Sequence, residues 1–327
     1  MNKRNNVKKI LNLCIILVLV FVVLFSGLQI LESTVFHRKE EESLGSGTRT
    51  TIVNGVEYFP RQDITVIMVL GIDQYGQVAD SGSYNNDGAC DMVALLILDE
   101  TSQECDILYL NRDTMMEIPV LGIGGKEAGT IYAQLALAHT YGSGLEDSCE
   151  NVKKALEMFL HGLTIDYYVS MNMDAISILN DAVGGVTVNV TEDFSQVDPS
   201  IPMGEVTLMG KQAITYVRSR YGVGDQLNLS RIERQKEYMT NFITAFRTAQ
   251  EAEVEFLVTA YDSTANYVVT DCSLNALIGF ADRYTNYTLG EIISLEGENI
   301  KGQDYMEFYV DEAALDALVL ELFYAPK

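Results

Sequence analysis

The sequence predicts an α/β fold in which a mixed central β-sheet is sandwiched between α-helical layers, preceded by one N-terminal transmembrane helix. Three observations carry that prediction. Thr65 to Leu70, Met92 to Leu98 and Cys105 to Leu110 are continuous apolar runs of strand length, separated by polar or Gly-containing segments. Downstream, stretches with helical apolar spacing alternate with short extended ones up to the C-terminus. Ile10 to Leu31 is apolar except for Asn12, Ser26 and Gln29, and is long enough to span a bilayer.

Taken in order, residues 1–9 carry Lys3, Arg4, Lys8 and Lys9 and no acid, which places them in the cytoplasm and everything after the 10–31 anchor outside. The apolar run exceeds a signal-peptide core and lacks a small-x-small cleavage site, so the anchor is expected to stay uncleaved. Residues 32–60 read as a polar stalk with a small hairpin around Val53-Asn54-Gly55-Val56. The folded domain is expected over 61–327. Its first strand ends at Gly71-Ile72-Asp73, and α/β sheets bind ligands just beyond strand carboxyl ends. Asp91 opens the second strand, a polar turn from Asp99 to Glu104 leads to the third, and the third ends at Asn111-Arg112-Asp113-Thr114. Helical spacing follows at 131–141 and 151–160, then a strand at 166–170. A helix over 173–182 closes on Gly184-Gly185, which suits a C-terminal cap. Further strands are expected at 186–190, 267–270, 291–295 and 306–310. A helix starts at Ser273, and Asp311 caps a last amphipathic helix.

The formal net charge is −24, and all 46 acidic residues lie beyond residue 31, which argues against a nucleic-acid partner. Against that background, Gln212 to Gln235 holds Arg218, Arg220, Arg231 and Arg234. If YVRSR is extended, Arg218 and Arg220 share a face. Ser230 with Glu233 reads as a capping box, which puts Arg231 in the first turn of a helix beside free N–H groups. Gln235 falls on that helix's apolar stripe with Ile232, Met239, Phe242 and Phe246, where it needs a buried partner or a cavity to face. Guanidiniums converging on a helix N-terminus suit a phosphate or pyrophosphate. The alternative is a set of surface arginines paired with the many carboxylates, and the window alone leaves both open.

Asp73 and Asp91 are carboxylates at strand boundaries that could hold a Mg²⁺ bridging phosphate oxygens. There is no HExxH, CxxC pair, Walker loop or GxSxG, which lowers zinc, P-loop and hydrolase readings. His37, His139 and His161 stand alone and read as stalk, core or surface residues. Cys14 lies in the span. Cys90, Cys105, Cys149 and Cys272 lie outside and allow three pairings, and free thiols are equally compatible.

The blocks VLGID, ACDMVALLILD and LYLNRDT occur in order, followed by DYYVSMNMDAISILNDAVGGVTVNV, LMGKQAITYVRSR and SRIERQ. Together, from about Thr65 to the C-terminus and behind a membrane anchor, they resemble the LytR-CpsA-Psr family of bacterial cell-envelope enzymes. The resemblance implies phosphotransfer from a polyprenyl-pyrophosphate-linked glycan to a peptidoglycan hydroxyl, producing wall teichoic acids, capsules or similar polymers. It assigns Asp73 and Asp91 to the metal, and Arg112, Arg218, Arg220, Arg231 and Gln235 to pyrophosphate, with Arg234 inside the same motif. It also implies a glycan donor, a peptidoglycan acceptor and a cell-membrane location with the C-terminal domain outside. The chain departs from the family pattern at Asn111 for Pro, Ala89 for Arg, Gln134 for Lys and Asn228 for Asp, so the pocket is less cationic. Two alternatives follow: a polyprenyl-phosphate-binding regulator or scaffold without turnover, and a polyprenyl pyrophosphatase.

Overall fold

The computed structural model describes residues 51–53, 56–122, 124–219, 222–223 and most of 234–326. The expected cytoplasmic segment and transmembrane anchor lie outside the described residues, and no described helix is long and apolar enough to cross a membrane. The fold is mixed α/β. The chain divides into two compact units that interleave in sequence. One unit is built on residues 73–78 and 171–287. The other is built on 79–170 and 288–327, together with the described chain up to Ile72.

The second unit contains most of the central sheet. β3 (Ile64–Ile72), β4 (Cys90–Asp99) and β5 (Glu104–Leu110) form an antiparallel meander, and β12 (Thr288–Ser294) adds to β5 in parallel. β8 (Tyr167–Asn172) flanks β3, and with antiparallel and parallel pairs both present the sheet is mixed, as expected. Val66 to Leu70 and Val93 to Leu98 are buried along their whole length, which explains continuous apolar runs in place of alternation. The Asp166 carboxylate accepts from the Val66 N–H at 2.8 Å, and the Asp166 N–H donates to the Val66 carbonyl at 2.9 Å. The register sets Ile72 opposite Cys90. The strand that delivers Asp73 therefore ends at the sheet edge where the strand carrying Asp91 begins.

The hairpin expected near Val53 exists: β1 (Thr51–Val53) pairs with β2 (Val56–Pro60). β2 also pairs with the C-terminal strand β15 (Tyr324–Pro326), so the end of the stalk is tied to the folded unit. β6 (Met115–Leu121) and β7 (Glu127–Gln134) form another hairpin. This corrects the helix expected over 131–141. The stretch is strand up to Gln134, then a short 3-10 segment from Leu135 to Thr140. Thr130, Ile131 and Tyr132 favour a pleated backbone, and pairing with β6 overrides the helical apolar spacing.

α1 (Glu146–Phe159) packs on β6 and the 3-10 segment. It begins before the expected residue 151, and its buried Asn151 amide donates to the Pro119 and Ala138 carbonyls at 2.9 and 2.7 Å. His139 is a core residue, as expected. Its Nδ1–H faces the Gly88 carbonyl at 2.7 Å, and burial pushes its pKa down to about 4, so it is neutral. β13 (Gly297–Lys301) and β14 (Met306–Val310) form a hairpin, and Phe308 of β14 bridges to Thr114 just ahead of β6. All four described cysteines are free and buried; burial pushes Cys90 and Cys105 up to about 12.

In the first unit, the Asn172 side chain accepts from the Asp174 and Ala175 N–H groups and so opens α2 (Met173–Ala182). The helix ends in Gly184 and Gly185, both with positive φ. A Cβ on Gly185 would lie 2.5 Å from Met209 Sδ and 2.9 Å from the Leu208 carbonyl oxygen, so only glycine fits there. β9 (Val186–Val190) then pairs with β10 (Gly204–Leu208). Asn180 joins these parts: its amide donates to the Leu208 carbonyl at 2.8 Å and accepts from Tyr238 Oη at 2.9 Å. α3 (Lys211–Arg218) follows, and α4 (Phe256–Thr264) precedes the short β11 (Val268–Thr270). The apolar stripe predicted downstream is visible in Phe242 and Phe246, which are buried; Phe242 stacks on Tyr238 and Phe246 meets Phe256 edge to face. The helix start expected at Ser273 falls largely outside the described residues. In the second unit, Asp311 caps α5 (Glu312–Phe323) as expected, accepting from the Ala313 and Ala314 N–H groups.

Candidate functional site

On the sheet unit, the third strand ends in a turn whose backbone is pinned at nearly every atom. The Asn111 side chain accepts from the Asp113 N–H at 3.0 Å, an Asx turn that fixes the bend. Thr114 Oγ1 and its N–H both reach the Asn111 carbonyl. Arg112 and Asp113 offer their carbonyls to Ala136 and Phe308, at 2.9 and 2.8 Å. On this rigid turn, Arg112 Nη1 donates to Asp91 Oδ1 in a close ion pair, and its Nε lies 3.5 Å from Asp113 Oδ1. Gln134 Nε2 donates to Asp113 Oδ1 at 3.0 Å and to the Met306 carbonyl at 2.7 Å. Burial pushes the Asp113 carboxyl above its usual range, opposed by the Arg112 charge. Arg112 keeps about a third of its side chain exposed (34%), enough for a ligand to reach it.

In the other unit, Asp73 starts a loop that the beginning of α2 holds in place. The Asp174 carboxylate accepts from the Gly76 N–H, the Asn172 amide donates to the Gly76 carbonyl, and the Met173 N–H donates to the Gln74 carbonyl. Arg218 is the last residue of α3, not part of an extended strand. This corrects the period-two reading of YVRSR. Ala213, Ile214, Tyr216 and Val217 are the buried residues, a helical spacing that the two arginines alone had obscured. From that helix end, Arg218 Nη2 lies 3.2 Å from Asp73 Oδ1, and Nη1 donates to the Tyr75 hydroxyl at 2.7 Å. Tyr75 was missed from the sequence because a tyrosine in a Gly-containing loop carries no pattern.

Arg234 is placed differently. It is buried, donating to the Tyr216 carbonyl at 2.8 Å and to the Ser219 carbonyl at 2.5 Å, with Nε 2.8 Å from Glu192 Oε2. Its guanidinium lies over the Phe194 and Tyr216 rings, with centroids at 5.0 and 5.7 Å. These bonds fasten the chain on either side of Arg218. Arg220, Arg231 and Gln235 lie outside the described residues.

In one unit Asp73 is paired with Arg218; in the other, Arg112 is paired with Asp91 and lies near Asp113. Among the described residues, no group of three or more His, Cys, Asp or Glu could hold a metal. Mg²⁺ binds through one or two carboxylates plus phosphate and water, so a partly exposed aspartate in either unit is of the ligand type it takes.

A match to the LytR_cpsA_psr family spans residues 29–323. The chain belongs to this family. Among relatives, it is 27% identical over 260 residues to the polyisoprenyl-teichoic acid–peptidoglycan teichoic acid transferase TagU of Oceanobacillus iheyensis, covering 75% of this chain and 72% of that one. The Bacillus subtilis TagU is 23% identical over 264 residues, with 80% and 78% covered. Among solved structures, TagT bound to LI-WTA aligns with a TM-score of 0.54 at 23% identity, over 80% of this chain and 90% of that one. The crystal structure of B. subtilis TagU aligns at 0.52 and 22%, over 80% and 96%. These likenesses establish the LytR_cpsA_psr fold, and the sequence resemblance to the family holds.

Proposed function

We propose that this LytR_cpsA_psr protein is a phosphotransferase that moves a glycopolymer from a polyprenyl-pyrophosphate carrier onto peptidoglycan. The observation that carries the reading is the pairing of each strand-end aspartate with a guanidinium on a rigid support, at residues the family motifs assign to metal and pyrophosphate. The names of the relatives, transferases acting on polyisoprenyl-linked teichoic acid and peptidoglycan, support the same substrate classes. The uncleaved apolar segment at 10–31 would tether the protein beside its lipid-borne donor, with the catalytic residues outside the cell.

Asp73 and Asp91, which the resemblance assigns to the metal, would bind Mg²⁺, and the ion would take up charge on the donor phosphates. Arg112 binds a phosphoryl oxygen while its turn stays fixed, so little reorganisation accompanies the reaction. Arg218, steadied by the Tyr75 hydroxyl, presents a planar fork suited to a phosphate oxygen. No covalent enzyme intermediate is needed: positioned charges stabilise a phosphoryl group in transit to the acceptor hydroxyl. Ala89 and Gln134, which replace two cations of the family pattern, favour a second reading, donor binding without turnover.

Donor binding by the full chain in detergent, at one fixed salt concentration, tests the site. Polyprenyl pyrophosphate should bind, more tightly with Mg²⁺ than with a chelator. A charge-assisted hydrogen bond contributes about 1.5–3 kcal/mol. Arg112→Ala should therefore weaken binding by roughly ten- to a hundredfold. Equal affinity of Arg112→Ala and wild type would remove Arg112 from the site.

A further inference from the structure

A hydroxyl that becomes a phosphodiester oxygen has to hand its proton to a base, and the sheet unit carries a carboxylate beside Arg112 that the proposed chemistry has not used. Asp113 is the next residue on the turn after β5. Its backbone is fixed at both ends: the N–H donates to the Asn111 side chain at 3.0 Å, and the carbonyl accepts from the Phe308 N–H at 2.8 Å. The carboxylate is held by one oxygen. Gln134 Nε2 donates to Oδ1 at 3.0 Å and to the Met306 carbonyl at 2.7 Å, and Arg112 Nε lies 3.5 Å from the same Oδ1. Among the described residues, Oδ2 takes no hydrogen bond, and the side chain keeps 28% exposure. The guanidinium is divided in the same way. Nη1 donates to Asp91 and Nε faces Asp113, which leaves Nη2 for a phosphoryl oxygen. A donor for the phosphoryl group and an open carboxylate oxygen thus adjoin on one rigid turn.

Asp91 is less suited to the task, because it is already the close ion-pair partner of Arg112. Asp113 meets the guanidinium at longer range, and burial pushes its carboxyl above the usual range against the Arg112 charge. A base gains strength as its pKa approaches the working pH. The groups around it are few. Arg112 is the charge on its own turn, with Asp91 across that guanidinium. β7 contributes the neutral Gln134, and β14 contributes the Met306 carbonyl and the Phe308 N–H, while Glu307 between them accepts from Tyr309 Oη at 2.7 Å. We propose that Asp113 is the general base of the transfer, taking the proton of the acceptor hydroxyl on Oδ2, an inference that rests on the transferase reading above. In that step the acceptor oxygen bonds to the phosphorus that carries the glycan. The bond from this phosphorus to the bridging oxygen breaks, and its electron pair leaves with polyprenyl monophosphate. The hydroxyl proton passes to Asp113, which returns it to water afterwards.

The test follows single-turnover transfer by the full chain in detergent across a range of pH, from a polyprenyl-pyrophosphate-linked glycan to an acceptor wall fragment. Polyprenyl pyrophosphate affinity and melting temperature are measured beside it. The wild-type rate should fall on an acid limb that lies above the ordinary carboxylate range, as Asp113 takes up a proton. Asp113→Asn should slow transfer by about 10²-fold or more, the usual contribution of a general base. It should keep donor affinity and melting temperature, and its residual rate should lack the acid limb. Gln134→Leu removes a hydrogen bond that favours the charged carboxylate, so its limb should move to higher pH. A wild-type rate in Asp113→Asn overturns the assignment. So does a lost rate that keeps the limb, or one that comes with lost donor affinity, because Asp113 would then only orient Arg112. Should Asp113→Asn fail to fold, Gln134→Leu decides, and an unmoved limb overturns the base. A wild type that binds donor and transfers nothing at any pH overturns the transferase reading, and the base falls with it. Transfer by wild type with an unimpaired Asp113→Asn overturns the base alone.

Discussion

Arg218→Ala should lower the rate of phosphotransfer by about 10²–10³-fold, the usual cost of removing one preorganised donor to developing charge. The side chain is partly exposed and its two described partners, Asp73 and Tyr75, belong to a surface loop, so the variant should fold with a near-normal melting temperature. Arg218→Lys should recover little, because an ammonium cannot bond Tyr75 and a phosphoryl oxygen with one planar fork. Tyr75→Phe removes only the phenol that steadies the guanidinium and should cost far less. Single-turnover rates with a lipid-linked glycan, taken beside thermal melts, check this series. Wild-type rates in Arg218→Ala would reduce the residue to a charge partner of Asp73.

Arg234→Ala should act in the opposite way, unfolding the unit and sparing the chemistry. Its guanidinium bonds the Tyr216 and Ser219 carbonyls and sits against the Glu192 carboxylate. Removing it leaves a largely buried Glu192 without that cation, a change that costs about 3–5 kcal/mol. Adding Glu192→Gln should recover part of the loss, because a neutral amide is cheaper to bury than an uncompensated charge. Denaturant melts of the two variants, with donor affinity measured well below the transition, check both halves of the expectation. Normal stability with lost donor affinity would make Arg234 a ligand, as its place in the arginine-rich window suggested.

That contrast shows what was legible in the sequence. The meander β3–β4–β5 was, because burial on both faces leaves continuous apolar runs bounded by polar turns. α2 was, because its helical spacing ends in a glycine pair at positive φ. Asp73, Asp91 and Arg112 were legible as strand-boundary residues. β7 was not: Ile131, Leu135 and Ala138 have helical spacing, and only pairing with a strand containing Pro119 makes the first of them extended. The sequence also could not say which arginines face outward. Arg218 and Arg234 share one motif, yet the first ends a helix at the surface and the second lies over two aromatic rings. Composition alone cannot distinguish them, because burial depends on Glu192 and Phe194, which are remote in sequence.

The central claim is transfer, and one reaction measures it directly. Purified full-length protein is given Mg²⁺, a polyprenyl-pyrophosphate-linked glycan labelled in its sugar, and an acceptor wall fragment. The account predicts label joined to the fragment through a phosphodiester, with release of polyprenyl monophosphate, and loss of both in Arg218→Ala. Plain phosphate release with no label on the fragment, or tight donor binding with no turnover at all, would contradict it.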